Sequence, residues 1–176
     1  MDWNKLQLEN DIKYISIYGY TNYQKKILIL IGKEFNNKPN KTDIGLFSEF
    51  FGKIENEESI PESTSRILFE KSMNMIIDQD EFKQEIINNK IKYKIIKNRL
   101  IFFYNIDYDT YKNLPIYYNR VFKYINLCQF PTSYNNWAIE SCPFNFFDKS
   151  ELKWVDFTYI QNNISLFKKQ FIQHLL

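Results

Sequence analysis

At 176 residues the chain is long enough to bury a core, and its net charge of +2 is too small for wholesale binding of a polyanion, so any such site must be local. Hydrophobic residues at 44% and charged residues at 25% are the balance of a soluble globular protein, not of a disordered or fibrous chain. Two cysteines, Cys128 and Cys142, and the single histidine, His174, are too few for a Cys/His zinc site.

Aromatic residues reach 18%, with 13 Tyr and 16 Phe beside one alanine, Ala138. Abundant Ile, Asn, Lys, Tyr and Phe with little Ala is the composition of an AT-rich genome, so most of these rings are expected to be core. The two cysteines are expected as buried free thiols in preference to a disulfide. The N-terminus, Met1 to Lys5, is neither basic nor followed by an apolar run, so no signal peptide is expected. No apolar run approaches the roughly 20 residues needed to span a bilayer. A cytoplasmic protein without a membrane partner is the resulting expectation.

Residues 11–20 alternate, with Tyr14, Ser16, Tyr18 and Tyr20 on one side and Ile15 and Ile17 on the other, which predicts a strand. The short apolar run within residues 26–31 predicts a central strand, and residues 36–40 form a polar turn cluster. Ser59-Ile60-Pro61-Glu62 supplies a Ser cap, a first-turn Pro and Glu three residues after the cap, predicting a helix to about Met75. A short helix over residues 79–87 follows. Lys90, Lys92 and Lys94 alternate with apolar residues, and Lys97-Asn98-Arg99 turns into a second strand, which predicts a hairpin. A helix over residues 115–127, a loop of about 20 residues and a strand at residues 152–155 come next. Ile160, Ile164, Phe167, Phe171 and Leu175 form a stripe that predicts one amphipathic C-terminal helix. Interleaved strands and helices without a linker predict a single α/β domain over residues 1–176.

Residues 52–73 carry the most informative spacing. Five residues separate Gly52 from Glu58 and seven separate Glu58 from Arg66, with Leu68 and Glu70 following. In this register the chain resembles the Nudix family, whose signature has these residues at these places. Ile67 and Lys71 stand where the family has Glu, and Met73 where it has Gly. The order of strands, loop, helix, hairpin, Trp154-Val155 strand and terminal helix is similar to the Nudix order, which implies a mixed β-sheet sandwiched between α-helices. The extra helical segments resemble the mRNA-decapping Nudix enzymes of large DNA viruses, which would place the protein in the host cytoplasm.

The resemblance implies a site on the helix, where carboxylates hold Mg²⁺ or Mn²⁺ across a diphosphate. At 100° per residue, Ser63, Arg66, Ile67, Glu70 and Lys71 share one helix face, and Thr64, Leu68, Ser72 and Met75 the other, expected to be the core face. Losing two carboxylates, one to a cation, argues against tight divalent binding and leaves Glu70 as the only catalytic or metal residue if the chain hydrolyses at all. The family roles of the residues matching Glu58 and Arg66 are to pair and hold the loop.

The leading expectation is a catalytically impaired Nudix protein that binds a nucleotide or RNA 5′ end, with the mRNA cap favoured and no cofactor required. It would act in viral mRNA handling or translation, through a protein partner. Its ligand candidates are Lys53, Arg66 and Lys71 for phosphate, and Tyr18, Tyr20, Phe103, Tyr104 and Trp137, with Tyr134 beside it, for a base. Two alternatives stand beside it. One is a hydrolase using Glu70 with displaced ligands such as Glu62 or Glu151. The other is a structural subunit with a vestigial pocket. His174 is expected to be a surface residue.

Overall fold

The computed structural model describes residues 2–35, 43–128 and 148–175. Its strands are β1 (Tyr14–Tyr23), β2 (Lys26–Glu34), β3 (Phe47–Ser48), β4 (Phe50–Lys53), β5 (Lys92–Ile96), β6 (Arg99–Asn105) and β7 (Lys149–Asp156). They form one sheet in the order β3-β2-β1-β6-β5, with β4 also on β1 and β7 also on β2. The β1–β6 pair is parallel, with Tyr20 opposite Asn105, and the β1–β2 and β5–β6 hairpins are antiparallel. The expected α/β class and mixed sheet between helices are what the chain forms.

Period-2 alternation sends Ile15, Ile17, Leu30, Leu100 and Phe102 into one cluster and Tyr18, Ile29, Ile31, Ile101 and Val155 into another. Helices α1 (Trp3–Glu9), α2 (Ile60–Ser72), α3 (Gln79–Ile87) and α5 (Leu114–Cys128) contribute Trp3, Ile60, Leu68, Phe82, Ile86 and Tyr118 to the first cluster. A short α4 (Tyr108–Tyr111) joins β6 to α5. Helices α6 (Phe157–Asn162) and α7 (Lys169–Leu175) cover the second cluster with Ile160 and Phe171. Both faces are covered, so β1 is buried almost continuously from Ile15 to Gly19 although its chemistry alternates.

Three expectations are corrected. The C-terminal stripe is not one helix: α6 ends at Asn163 (φ −132°), a 3₁₀ turn spans Ile164–Leu166, and Phe167 is extended before α7 begins. Phe167 bridges Phe47, and the Lys168 N–H donates to the Phe47 carbonyl at 3.0 Å, so pairing with β3 wins over helical continuity. Ile164 is consequently left exposed. Helix α2 ends at Ser72 and not near Met75, because Met73 and Asn74 take left-handed φ of 53° and 55°. That conformation costs a non-glycine residue about 1–2 kcal/mol, offset here by burying the Met73 side chain in the core. His174 is half-buried, its Nδ1 3.4 Å from Arg99 Nη1. The sequence pattern also did not reveal α1, whose Trp3 packs on Tyr93 and Phe102, nor the short strands β3 and β4. The turn cluster at 36–40 and the long loop at 129–147 lie outside the described residues.

A buried cation ties the β2–β7 pair to β3. Lys149 is fully buried, and its Nζ donates to Glu34 Oε1 at 2.7 Å, Ser48 Oγ at 2.7 Å and the Glu49 carbonyl at 2.9 Å. Gly32 makes this possible, since a Cβ there would stand 2.7 Å from the Lys149 Cδ. Lys168 reaches the same Glu34 oxygen at 3.0 Å. Burial by itself would raise the Glu34 pKa, but Lys149 and Lys168 outweigh it and hold the carboxyl at about 2, down from 4.5. A depressed carboxylate stabilises the fold above its unfolded pKa and loses that contribution as pH falls toward the folded value. Stability should therefore decline between about pH 4.5 and pH 2, and Glu34→Gln should flatten that decline in urea unfolding measured across the window.

Candidate functional site

The loop before α2 and the helix itself are built from local hydrogen bonds. Glu62 Oε2 accepts from the Ser59 backbone N–H at 3.0 Å and its hydroxyl at 2.7 Å, fixing the helix start. The small hydroxyl residues of α2 can be buried because each donates nearby: Ser63 to Glu58, Thr64 to the Ile60 carbonyl, Ser65 to the Glu62 carbonyl and Ser72 to the Leu68 carbonyl.

Arg66 organises the rest. Its Nε and Nη2 donate to the two Glu58 oxygens at 2.7 and 2.8 Å, a fork-to-fork pair. Nη1 reaches Glu70 Oε2 at 3.3 Å and Nη2 also donates to the Lys53 carbonyl at 3.1 Å. Burial pushes the Glu58 pKa up, but the bonds from Arg66 and Ser63 more than offset it and keep the carboxyl ionised below its usual range. One guanidinium thus closes the loop onto the helix and engages both Glu58 and Glu70.

The positions that depart from the signature are not on an open face, contrary to the expectation from helical periodicity alone. Ile67 is fully buried in the core cluster and lies against Gly52, where a Cβ would stand 2.6 Å from the Ile67 Cγ1. Gly52 is therefore required by close approach. Lys71 is 8% exposed and its Nζ is paired with Asp148, so it does not present a free cation to a phosphate. Helix α2 is buried on more than one side because α3 and the sheet both pack on it, which periodicity within one helix does not reveal.

These donors do not fit a divalent cation. Glu58 and Glu70 are held by Arg66, Ile67 offers no oxygen, and the Lys71 ammonium stands one turn from Ile67. No group of three or more His, Cys, Asp or Glu among the described residues is arranged to hold a metal ion. The displaced ligands do not repair this. Glu62 caps α2 and pairs with Lys83 at 3.0 Å. Glu151 pairs with Lys33, whose Nζ stands over Phe47, so it lies on the sheet face opposite α2. Two open concavities of about 410 and 490 Å³ flank the loop, one lined by Glu58, Glu62, Asp80 and Lys83, the other by Lys13, Lys53 and Glu55.

A second place draws more of the candidate ligand residues together. At the carboxyl ends of the parallel strands β1 and β6, Tyr20, Phe103, Tyr104 and Asn105 line a pocket of about 250 Å³ with Glu85, Lys90 and Lys92. Crevices at the carboxyl ends of parallel strands are where α/β sheets commonly take ligands. Neither the Lys90 nor the Lys92 side chain has a hydrogen-bond or ion-pair partner among the described residues. Phe82 of α3 braces Tyr104 edge-on, with centroids 4.9 Å apart. Burial first, then the Glu85 carboxylate, holds the Tyr104 hydroxyl pKa above its ordinary value.

Tyr18 does not join this pocket. It is 2% exposed, stacked between Phe103 and Phe171 at 5.8 and 5.6 Å, and has no ring face left for a base. Lys53 is exposed beside the signature loop, and Trp137 and Tyr134 lie outside the described residues. Asn105 and Glu85 are not legible in the sequence, because the parallel pairing of β1 with β6 brings Asn105 beside Tyr20 and the packing of α3 on Tyr104 brings Glu85 there.

Solved structures to which the chain is similar include three described as NUDIX proteins. The NUDIX domain of NrtR from Shewanella oneidensis, solved with ADP ribose, shows 13% identity and a TM-score of 0.45, covering 92% of this chain and 82% of that one. A NUDIX hydrolase of Listeria monocytogenes shows 14% identity and a TM-score of 0.42, covering 92% and 90%. One from Nitrosomonas europaea shows 12% and 0.43, covering 90% and 83%. No family model and no curated protein matches the sequence.

The buried setting of Ile67 yields a sharp expectation. Ile67→Glu should not create a divalent site; it should place an unpaired carboxylate in the core and lower Tm by on the order of 10 °C. Thermal unfolding with and without Mn²⁺ checks this, and a Mn²⁺-dependent recovery of Tm would show that the position faces a metal site after all.

Proposed function

We propose that this chain is a Nudix-type domain that binds a nucleotide or the 5′ end of an RNA without hydrolysing it. The observation that carries the reading is the pocket at the ends of β1 and β6, where aromatic side chains stand beside two lysines without an ion-pair partner among the described residues. A base stacking on Tyr20 or Tyr104 gains dispersion from either ring. Lys92, the first residue of β5, and Lys90 just before it supply charge to a phosphate chain leaving the pocket. At about 250 Å³ the pocket has room for a base, and the lysines on its wall would meet the phosphates at the rim.

The arrangement of α2 supports binding over hydrolysis. Its two remaining signature carboxylates are engaged by Arg66, and Lys71 is engaged by Asp148. A ring with a positive charge, such as the 7-methylguanine of an mRNA cap, would gain a further cation–π contribution on the tyrosines, so the cap is the favoured ligand. Capped RNA as ligand would place the protein in viral mRNA handling or translation, in the cytoplasm and with a protein partner.

Calorimetry with 7-methyl-GDP and with capped RNA, with and without Mn²⁺, should show metal-independent binding and no turnover. Lys90→Ala with Lys92→Ala should weaken capped RNA binding and reduce the salt slope by about one to two phosphate contacts. Turnover abolished by Glu70→Gln would overturn the reading in favour of a hydrolase. Absence of both binding and turnover would leave a structural subunit.

A further inference from the structure

We infer that Glu85 makes the sheet-end pocket selective for guanine by accepting hydrogen bonds from two adjacent donors on the edge of the base. The inference rests on the reading of that pocket as a nucleotide site and adds which base it takes and which residue decides it.

Glu85 lies in the last turn of α3, three residues after Phe82, and therefore on the same side of the helix. Phe82 is the ring that braces Tyr104, so the Glu85 side chain is delivered to the Tyr104 side of the pocket, whose wall it forms. The Glu85 backbone carbonyl accepts from the Lys90 N–H at 2.9 Å, which closes the turn and sets the carboxylate and the first lysine on one rim. No hydrogen bond or ion pair engages the Glu85 carboxylate among the described residues, although Lys90 and Lys92 line the same pocket. A half-buried, unengaged acceptor beside aromatic surfaces is a group positioned to read a base edge.

The chemistry of the edges then selects. An ionised carboxylate only accepts hydrogen bonds, through two oxygens side by side. Guanine presents N1–H and N2–H as adjacent donors and meets both oxygens at once. Adenine and cytosine each pair one amino donor with an unprotonated ring nitrogen, whose lone pair would face the second oxygen. Uracil has one ring N–H between two carbonyls. Of the four bases, guanine alone satisfies both oxygens without a repulsive contact, and a matched bidentate pair is worth a discrimination on the order of 10-fold or more. Asn105, a neutral amide on the same wall, can donate or accept and so does not by itself impose a base.

The test is calorimetric titration of the whole chain with GMP, IMP, AMP, CMP and UMP. GMP should bind on the order of 10-fold or more tighter than AMP, with IMP, which lacks the N2 amino group, between them. Glu85→Gln and Glu85→Ala should bring GMP down to the AMP level without weakening AMP. Lys92→Glu, which alters the phosphate side, should weaken all five alike and shows that binding is at this pocket. Equal affinity of the unsubstituted protein for GMP and AMP, or a guanine preference that survives Glu85→Ala, would overturn the role of Glu85 while leaving a nucleotide site. Failure of all five to bind would overturn the nucleotide site itself.

Discussion

Strand β1 is the element on which the rest of the molecule is registered. Its first half pairs with β4 and its second half with β2, while β6 runs parallel along its other edge. The β4 pairing places Gly52 opposite Ile15, which sets the start of the signature loop against the core. The β6 pairing places Asn105 opposite Tyr20, which assembles the pocket at the far end. Each register is held by side chains that must lie on one face, so a slip of one residue would exchange the two hydrophobic clusters.

The two candidate sites differ in how their charges are used. Around α2 the charges are internally matched: Arg66 binds Glu58 and Glu70, Lys71 binds Asp148, and Glu62 binds Ser59 and Lys83. Charge-assisted bonds of this kind stiffen a loop but leave little for a ligand, since an incoming ion would have to displace them. Around the sheet-end pocket the charges of Glu85, Lys90 and Lys92 are near one another, and among the described residues none of the three is in an ion pair. Binding sites keep their polar groups available, a character that the ends of β1 and β6 have and helix α2 lacks among the described residues.

Legibility in the sequence followed the range of the interactions. The capping of α2 by Ser59 and Glu62, the span of α3 and the β5–β6 hairpin all depend on neighbours within a few residues, and all could be read in advance. The break in the C-terminal stripe at Asn163 could not, because it is forced by Phe47, over a hundred positions earlier in the chain. The same holds for His174 against Arg99 and for Tyr18 between Phe103 and Phe171. Helical periodicity separates two faces of α2 but does not say how many faces are covered. Periodicity therefore puts Ile67 on an open face, whereas it is fully buried.

By itself the sequence determined the α/β class, the local caps and turns, and a spacing of Gly52, Glu58, Arg66 and Glu70 that resembles a family signature from which Ile67 and Lys71 depart. These follow from patterns repeating over short distances, where the chain's own geometry dictates which side chains meet. Only the tertiary structure decided that those departures are absorbed into the core and an ion pair, and that Tyr20, Glu85, Lys92 and Tyr104 share one pocket. Such meetings depend on which strands pair in parallel and which helices cover them. That is settled by burying both faces of the sheet at once, and no local window of the sequence contains it.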